Sequence, residues 1–256
     1  MSDWLFDLGN SRLKCAPLLD DGSVGEVRVF AHDGSAFEAG WAARLPARID
    51  AAHVASVAAP ALRVALLDAL AARSGRIGLA ATQRAWRGLR IAYAEPSRLG
   101  VDRFLAMLAA HARGGACLVV GVGTALTIDF VDAQGRHHGG RIAPSPTLMR
   151  EALQARAAQL PADGGRYAEF AADTDDALAS GCLGAALALV ERSRDAARQA
   201  CADPVALLLH GGGADALLPH LADAVHDPQL VLHGLAQWAR SDGESSIAVS
   251  DVRDRS

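Results

Sequence analysis

Two stretches of the chain share one pattern: an apolar run, a glycine, a small polar residue and a second apolar run. The first is Trp4-Leu5-Phe6-Asp7-Leu8-Gly9-Asn10-Ser11, which continues into Arg12–Leu19. The second is Leu118-Val119-Val120-Gly121-Val122-Gly123-Thr124, which continues into Leu126–Val131. Short apolar runs joined through such turns predict paired β-strands. Laid over one another, Phe6-Asp7-Leu8-Gly9-Asn10 matches Val120-Gly121-Val122-Gly123-Thr124, and Asp7 falls on Gly121.

The same patterning orders the rest of the chain. Val24–Ala31 and Ala51–Val57 are predicted strands, and Pro60 is placed to open a helix at its first turn. Leu62–Ala72 carries the helical period, with Gly75 as its stop. Leu89–Tyr93 is a predicted strand, and the loop after it delivers Asp102 to the start of a helix over Phe104–Ala112. Beyond the second hairpin come a strand at His138–Ile142 and helices at Thr147–Leu160 and Thr174–Ala200. Val205–Leu209 then feeds Gly211-Gly212-Gly213 and a helix, Leu230–Leu232 reads as a last strand, and Leu235–Arg240 reads as a last helix. Two halves in similar order predict a duplicated α/β fold with domains 1–115 and 116–240 and a polar, frayed tail 241–256.

Composition narrows the functional classes. The 256 residues are 51% apolar and 21% charged, which is a globular balance with ample length for a core. A formal net charge of -4 argues against nucleic acid as a partner. No apolar run approaches the roughly 20 residues that span a bilayer, so no membrane partner is expected. The first residues run straight into a strand with no secretory pattern, so a cytoplasmic protein is expected. Cys15, Cys117, Cys182 and Cys201 are widely spaced, and the histidines have no acidic or thiol partners at zinc-ligand spacing.

Chemistry enters at the glycine turns. A glycine between two strands lets the backbone approach a phosphate and aim N–H groups at it, and Asn10, Ser11 and Thr124 add side-chain donors. Taken singly, either turn is equally an ordinary hairpin. Asp7 is harder to explain structurally, because a carboxylate within an apolar strand is costly unless paired or bound to a cation. Magnesium carried by a nucleotide is the natural partner, since it takes one or two carboxylates plus phosphate oxygens. By position alone Asp102 reads as a helix N-cap and Arg103 as a surface helix residue. Asp129 reads as a strand-end carboxylate or a cation ligand, and Asp173, Asp175 and Asp176 as a solvated helix start.

Six blocks resemble one family in their order along the chain: "DLGNSRLK", "LGVDRFLAMLAA", "GVGTALTIDFVDAQGRHHGGRIAPSP", "TDDALASG", "LHGGGADAL" and "PQLVLHGL". They resemble the type III pantothenate kinases, of the acetate/sugar kinase, Hsc70 and actin superfamily, and are similar to the Bvg accessory factor proteins. The resemblance implies two ribonuclease H-like domains with a nucleotide cleft between them, a homodimer, and ATP-dependent phosphorylation of pantothenate at the start of coenzyme A synthesis. It assigns Asp7, Leu8, Gly9, Asn10, Ser11, Arg12, Leu13 and Lys14 to the first phosphate loop, with Asp7 near Mg2+. Thr124 falls at the ATP phosphates, and Gly211-Gly212-Gly213 near the nucleotide. Gly100, Val101, Asp102 and Arg103 match the pantothenate block, in which the aspartate accepts the proton. Tyr93 and Thr174 match further substrate contacts, the threonine reaching across the dimer.

Two departures stand out. The family carries an aspartate, holding potassium or ammonium, where this chain has Gly121, so little monovalent-cation activation is expected. It carries Pro-Gly where this chain has Pro144-Ser145-Pro146, which implies a stiffer loop. A degenerate kinase fold with a regulatory role, and a kinase of another small alcohol, remain alternatives at this point.

Overall fold

A computed structural model describes residues 3–240 and 247–248. In chain order its first elements are β1 (Asp3–Leu8), β2 (Arg12–Leu18), β3 (Arg28–Ala31), β4 (Ile49–Ser56), α1 (Pro60–Ala71) and β5 (Ser74–Leu79). Two short strands, β6 (Ala85–Trp86) and β7 (Leu89–Arg90), lead to α2 (Val101–His111). Then come β8 (Ala116–Val122), β9 (Ala125–Val131), β10 (His137–Pro144), α3 (Pro146–Gln154) and α4 (Thr174–Ala200). The last are β11 (Val205–His210), α5 (Ala214–Leu217), β12 (Ala224–His226), α6 (Leu230–Ala239) and β13 (Ile247–Ala248). Among the described residues no helix is long and apolar enough to cross a membrane.

The chain divides into two compact units. Among the described residues the first holds 3–87, 93–109, 230–240 and 247–248, around a sheet ordered β13-β5-β4-β1-β2-β3. β1, β2 and β3 pair antiparallel, whereas β4 lies parallel to β1 and β5 parallel to β4. Its core joins Trp4, Phe6 and Leu8 of β1 to Leu62, Leu66 and Leu70, which recur every fourth residue and so make one stripe of α1.

The second unit holds residues 88–92 and 110–229, with a sheet ordered β10-β9-β8-β11-β12. The same pairing recurs: β8, β9 and β10 are antiparallel, and β11 and β12 run parallel to the first strand of the unit. Leu118, Val120 and Val122 of β8 pack with Leu207 and Leu209 of β11 and with Ala186 and Val190 of α4. The duplication predicted from the two glycine turns is therefore a duplication of whole sheets.

Several local expectations differ from what forms. Gly75 lies inside β5 and does not cap α1, because Ala51 and Ile49 of β4 offer its segment a parallel ladder. Leu230-Val231-Leu232 forms the start of α6, not a strand. That helix is buried nearly all round and packs on the first unit, where Gly234 gives the Leu105 backbone room for close approach. The sequence reading carried the second domain to residue 240, whereas α6 groups with the first unit. The last strand of the second sheet is β12, paired to β11. Only Leu89–Arg90 of the expected strand Leu89–Tyr93 is extended into β7, and the helix expected to Leu160 ends at Gln154. The expected strand Val24–Ala31 shortens to Arg28–Ala31. Most of the expected tail lies outside the described residues.

Candidate active site

In the first unit β1 ends at Leu8, and the Gly9 N–H donates to the Arg12 carbonyl at 3.0 Å to close the turn. The His32 ring Nε2 donates to the Gly9 carbonyl at 3.0 Å, a buttress that the sequence reading missed. Asn10, Ser11 and Arg12 are exposed at the turn, Leu13 is buried beneath it, and Lys14 is half-buried. Asp7 stands directly opposite Lys14 on β2 and beside Ala55 on β4. The residue as a whole is half-buried, with its carboxyl enclosed. Burial pushes its pKa up to about 7, the Lys14 ammonium opposes that rise, and the Asp102 carboxylate adds to it. A strand aspartate in that condition fits a divalent cation, whose charge would restore the ionised form.

Asp102 reaches this neighbourhood from α2. The helix begins at Val101, and the Phe104 N–H donates to the Gly100 carbonyl at 3.1 Å. Asp102 is thus a first-turn residue, and the N-cap position belongs to Gly100. Its Oδ1 accepts from the Arg103 N–H at 2.8 Å, and the helix N-terminus favours its negative charge. A Cβ on Gly100 would stand 2.5 Å from that Oδ1, so glycine here makes room for the carboxylate. The preceding loop is fixed by the Thr82 hydroxyl, which donates to the Leu99 carbonyl at 2.8 Å.

Arg103 is buried, and its Nη1 donates to the Tyr93 hydroxyl at 3.4 Å. The guanidinium carbon lies 5.9 Å from the Tyr93 ring centroid. Tyr93 in turn lines an open cavity of about 430 Å³ with Ala94, Glu95 and Arg98. The pantothenate-block residues thus gather with Asp7 in one unit. Among them, the buried arginine and the tyrosine present a cation and a hydroxyl together.

The second unit repeats the turn. The Gly123 N–H donates to the Ala125 carbonyl at 2.9 Å, and Gly123 and Thr124 are exposed. Gly211 has φ +92°, and its Cα faces the Val122 backbone too closely for any side chain. The Gly213 N–H donates to the Val122 carbonyl at 2.9 Å, which laces the triple-glycine turn to the end of β8. In the first unit the Val57 N–H donates likewise to the Leu8 carbonyl, at 3.1 Å.

Gly121 is buried and stands between Thr127 of β9 and His210 of β11 in register. A Cβ there would lie 2.7 Å from Thr127 Oγ1 and 2.8 Å from His210 Nε2. Its φ is not positive, so the constraint on a side chain here is one of space and not of backbone conformation. The hydroxyl and the imidazole occupy the volume that a carboxylate would need. Asp129 does not replace that carboxylate. It is buried and accepts from His137 Nε2 at 3.0 Å, while the Ala92 N–H donates to His137 Nδ1 at 3.4 Å.

The remaining positions resolve simply. Thr174 is the exposed first residue of α4, capped by the Asp173 carboxylate, which accepts from the Asp176 N–H at 2.9 Å. Pro144-Ser145-Pro146 is a helix start: the Ser145 side chain accepts from the Leu148 N–H at 3.2 Å and Pro146 opens α3.

Comparison with known proteins bears on the family and the fold. The sequence model of the type III pantothenate kinase family matches residues 4–196. A type III pantothenate kinase from Xanthomonas axonopodis pv. citri (strain 306) is 58% identical over 241 residues, covering 93% of this chain and 98% of the relative. Another from Stenotrophomonas maltophilia (strain K279a) is 57% identical over 239 residues, with coverage of 93% and 98%. Among solved structures, one named as a Baf family transcriptional activator from Campylobacter jejuni superposes with a TM-score of 0.63 at 19% identity. It covers 93% of this chain and 98% of its own, and at that identity it bears on the fold alone. The two matching sheets, the paired glycine turns and this likeness across nearly the whole chain lead to one conclusion: the chain belongs to the type III pantothenate kinase family.

Proposed function

We propose that this chain transfers the γ-phosphoryl group of ATP to the primary hydroxyl of pantothenate, giving 4'-phosphopantothenate and ADP at the entry to coenzyme A biosynthesis. The observation that carries the residue assignment is the approach of Asp102 to Asp7, close enough for its charge to raise the Asp7 pKa. One carboxylate arrives from a helix start and the other from a strand end beside a glycine turn, which separates a proton acceptor from a metal ligand.

In this reading Asp102 accepts the hydroxyl proton as the pantothenate oxygen bonds to the γ-phosphorus and the bond from phosphorus to the β,γ-bridging oxygen breaks. The buried Arg103 takes the pantothenate carboxylate in its forked donors, with Tyr93 fixing the guanidinium. Asp7 would hold Mg2+, with Lys14 opposite, and Asn10 and Ser11 at the turn would offer amide and hydroxyl donors to phosphate oxygens. The ion, when bound, neutralises phosphate charge and aligns the transferring group. Within the second unit, Thr124 and the Gly123 turn offer donors of the kind that hold nucleotide phosphates.

A homodimer completes the proposal, with Thr174 contributing to the partner's substrate site. The small residues Gly181, Ala185 and Ala188, exposed along α4 beside a Phe170 that is 98% exposed, support α4 as the contact surface. The test of the function is ADP release coupled to a reporter, with pantothenate as acceptor. Turnover that needs pantothenate and is absent with other small alcohols is the expected result. Absence of pantothenate-dependent turnover in the folded protein would overturn it and favour a regulatory role.

A further inference from the structure

The row across the second sheet differs from its counterpart in the first in one informative way. In the first unit the row reads Lys14, Asp7, Ala55, with a carboxylate in the middle and a small side chain on the fourth strand. In the second it reads Thr127, Gly121, His210, with nothing in the middle and a large polar ring on the fourth strand. Five strands of the first sheet share the topology of the second, so the fold itself does not demand a histidine at this place. Gly121 is compatible with it because the ring uses the space a Cβ would take.

His210 is the last residue of β11, and the Gly211–Gly213 turn follows at once. That turn is laced to the end of β8 at Val122, one residue from the Gly123-Thr124 turn. His210 is therefore half-buried at the carboxyl end of β11 with its ring over Gly121, near the carboxyl end of the parallel β8, and the carboxyl ends of such strands are where open α/β sheets bind ligands. Backbone N–H groups in such turns recognise phosphate oxygens, and an imidazole N–H among them adds a directed donor.

We propose that His210 is a nucleotide-contacting residue, donating through its ring to the polyphosphate of the nucleotide held at the Gly123-Thr124 turn. It rests on the reading of that turn as a nucleotide site. In this chain a covalently held ring, placed over Gly121, fills the position that Asp7 fills in the first half.

Calorimetric titration with MgADP, without acceptor, tests this for the wild type, His210→Ala and His210→Leu. The leucine variant keeps the volume over Gly121 and serves if the alanine variant fails to fold. The expected result is ADP affinity weaker by about tenfold or more, the scale of losing one hydrogen bond to a charged group. The KM for ATP should rise by a similar factor, with pantothenate KM and melting temperature near wild type. His210→Gln, which keeps a donor, should retain most of the affinity. Unchanged ADP affinity in a folded alanine or leucine variant overturns the proposal, as does an equal rise in both KM values. A wild type that binds MgADP but does not phosphorylate pantothenate would sink the proposed reaction and leave this test standing.

Discussion

A Cβ on Gly100 would stand 2.5 Å from Asp102 Oδ1, so the carboxylate occupies space that only glycine leaves open. Gly100→Ala should therefore displace the proton acceptor without removing it. A displacement of about 1 Å in a reacting group costs on the order of 10²-fold in rate. We expect kcat to fall by that order while the KM for ATP and the circular dichroism spectrum stay near wild type. A wild-type kcat would show that the Asp102 rotamer adjusts freely and that its placement is not critical.

Asp102→Asn keeps the shape and cannot take the proton. The expected loss in kcat is about 10²–10⁴-fold, the usual contribution of a general base. Binding of MgADP should be unaffected, because the nucleotide turns are untouched. Retention of the wild-type rate with pantothenate would remove Asp102 from the proton-acceptor role.

Asp7 gives a pH signature whose sign follows from its burial. The carboxyl moves from an ordinary 3.8 to about 7 in the fold. An unfolded chain releases that proton near 3.8, whereas the folded one keeps it until about 7. Stability from this group is present in acid and is lost as the pH rises towards 7. Without metal or nucleotide, Asp7→Asn should gain melting temperature over the wild type progressively from about pH 4 to pH 7. Magnesium binding works in the opposite sense, since it needs the ionised carboxylate. Wild-type affinity for MgADP should rise with pH through about 7, and that of Asp7→Asn should be weak and lack this rise. Equal affinities and equal pH dependence would exclude the metal role.

The architecture was legible in the sequence where local rules act alone. Strand–glycine–strand units, Pro60 and Thr174 at helix starts, and the duplicated order all follow from periodicity and turn chemistry. Where one pattern serves two structures, the sequence reading failed. Leu230-Val231-Leu232 suits a buried strand or a buried helix, and only its packing on the first unit decides. Gly75 suits a helix stop or a strand, and the ladder with β4 decides. Asp7 was visible locally as a charge in an apolar strand, whereas Asp102 by itself reads as a helix N-cap and was singled out only by the resemblance to the family. His210 was not found, since its relation to Gly121 exists only through sheet register.

The dimer is open to a direct measurement. A Cβ on Gly181 would meet no heavy atom of the described residues within 4 Å, so a side chain there fits the single subunit. Light scattering at micromolar concentration should give a dimer for the wild type and a monomer for Gly181→Glu, with the helical signal preserved. If Thr174 serves the partner's site, the monomeric variant should also lose kcat/KM for pantothenate. A wild-type monomer that is fully active would remove both the interface and the role of Thr174 across it.

Gly121 leads to the last prediction. The resemblance to the family implied a monovalent-cation site built on a carboxylate at this position, and the chain offers glycine. Space, not backbone conformation, fixes that choice, because the glycine does not adopt positive φ. Thr127 Oγ1 and His210 Nε2 crowd the point where a Cβ would begin. The wild type should thus show little preference for potassium or ammonium over sodium in ATP turnover at fixed ionic strength. Gly121→Asp alone should not create that preference: the new carboxylate collides with two polar groups on neighbouring strands, so loss of stability is its expected effect. Gly121→Asp combined with His210→Ala vacates one of them, and it is the double variant that should recover stability relative to Gly121→Asp. The two changes should be strongly non-additive, since they act on one volume. Potassium activation gained in the double variant and absent from both singles would show that the histidine and the cation are alternative occupants of one place. Strong potassium activation of the wild type would instead show that groups other than a residue-121 carboxylate complete a cation site.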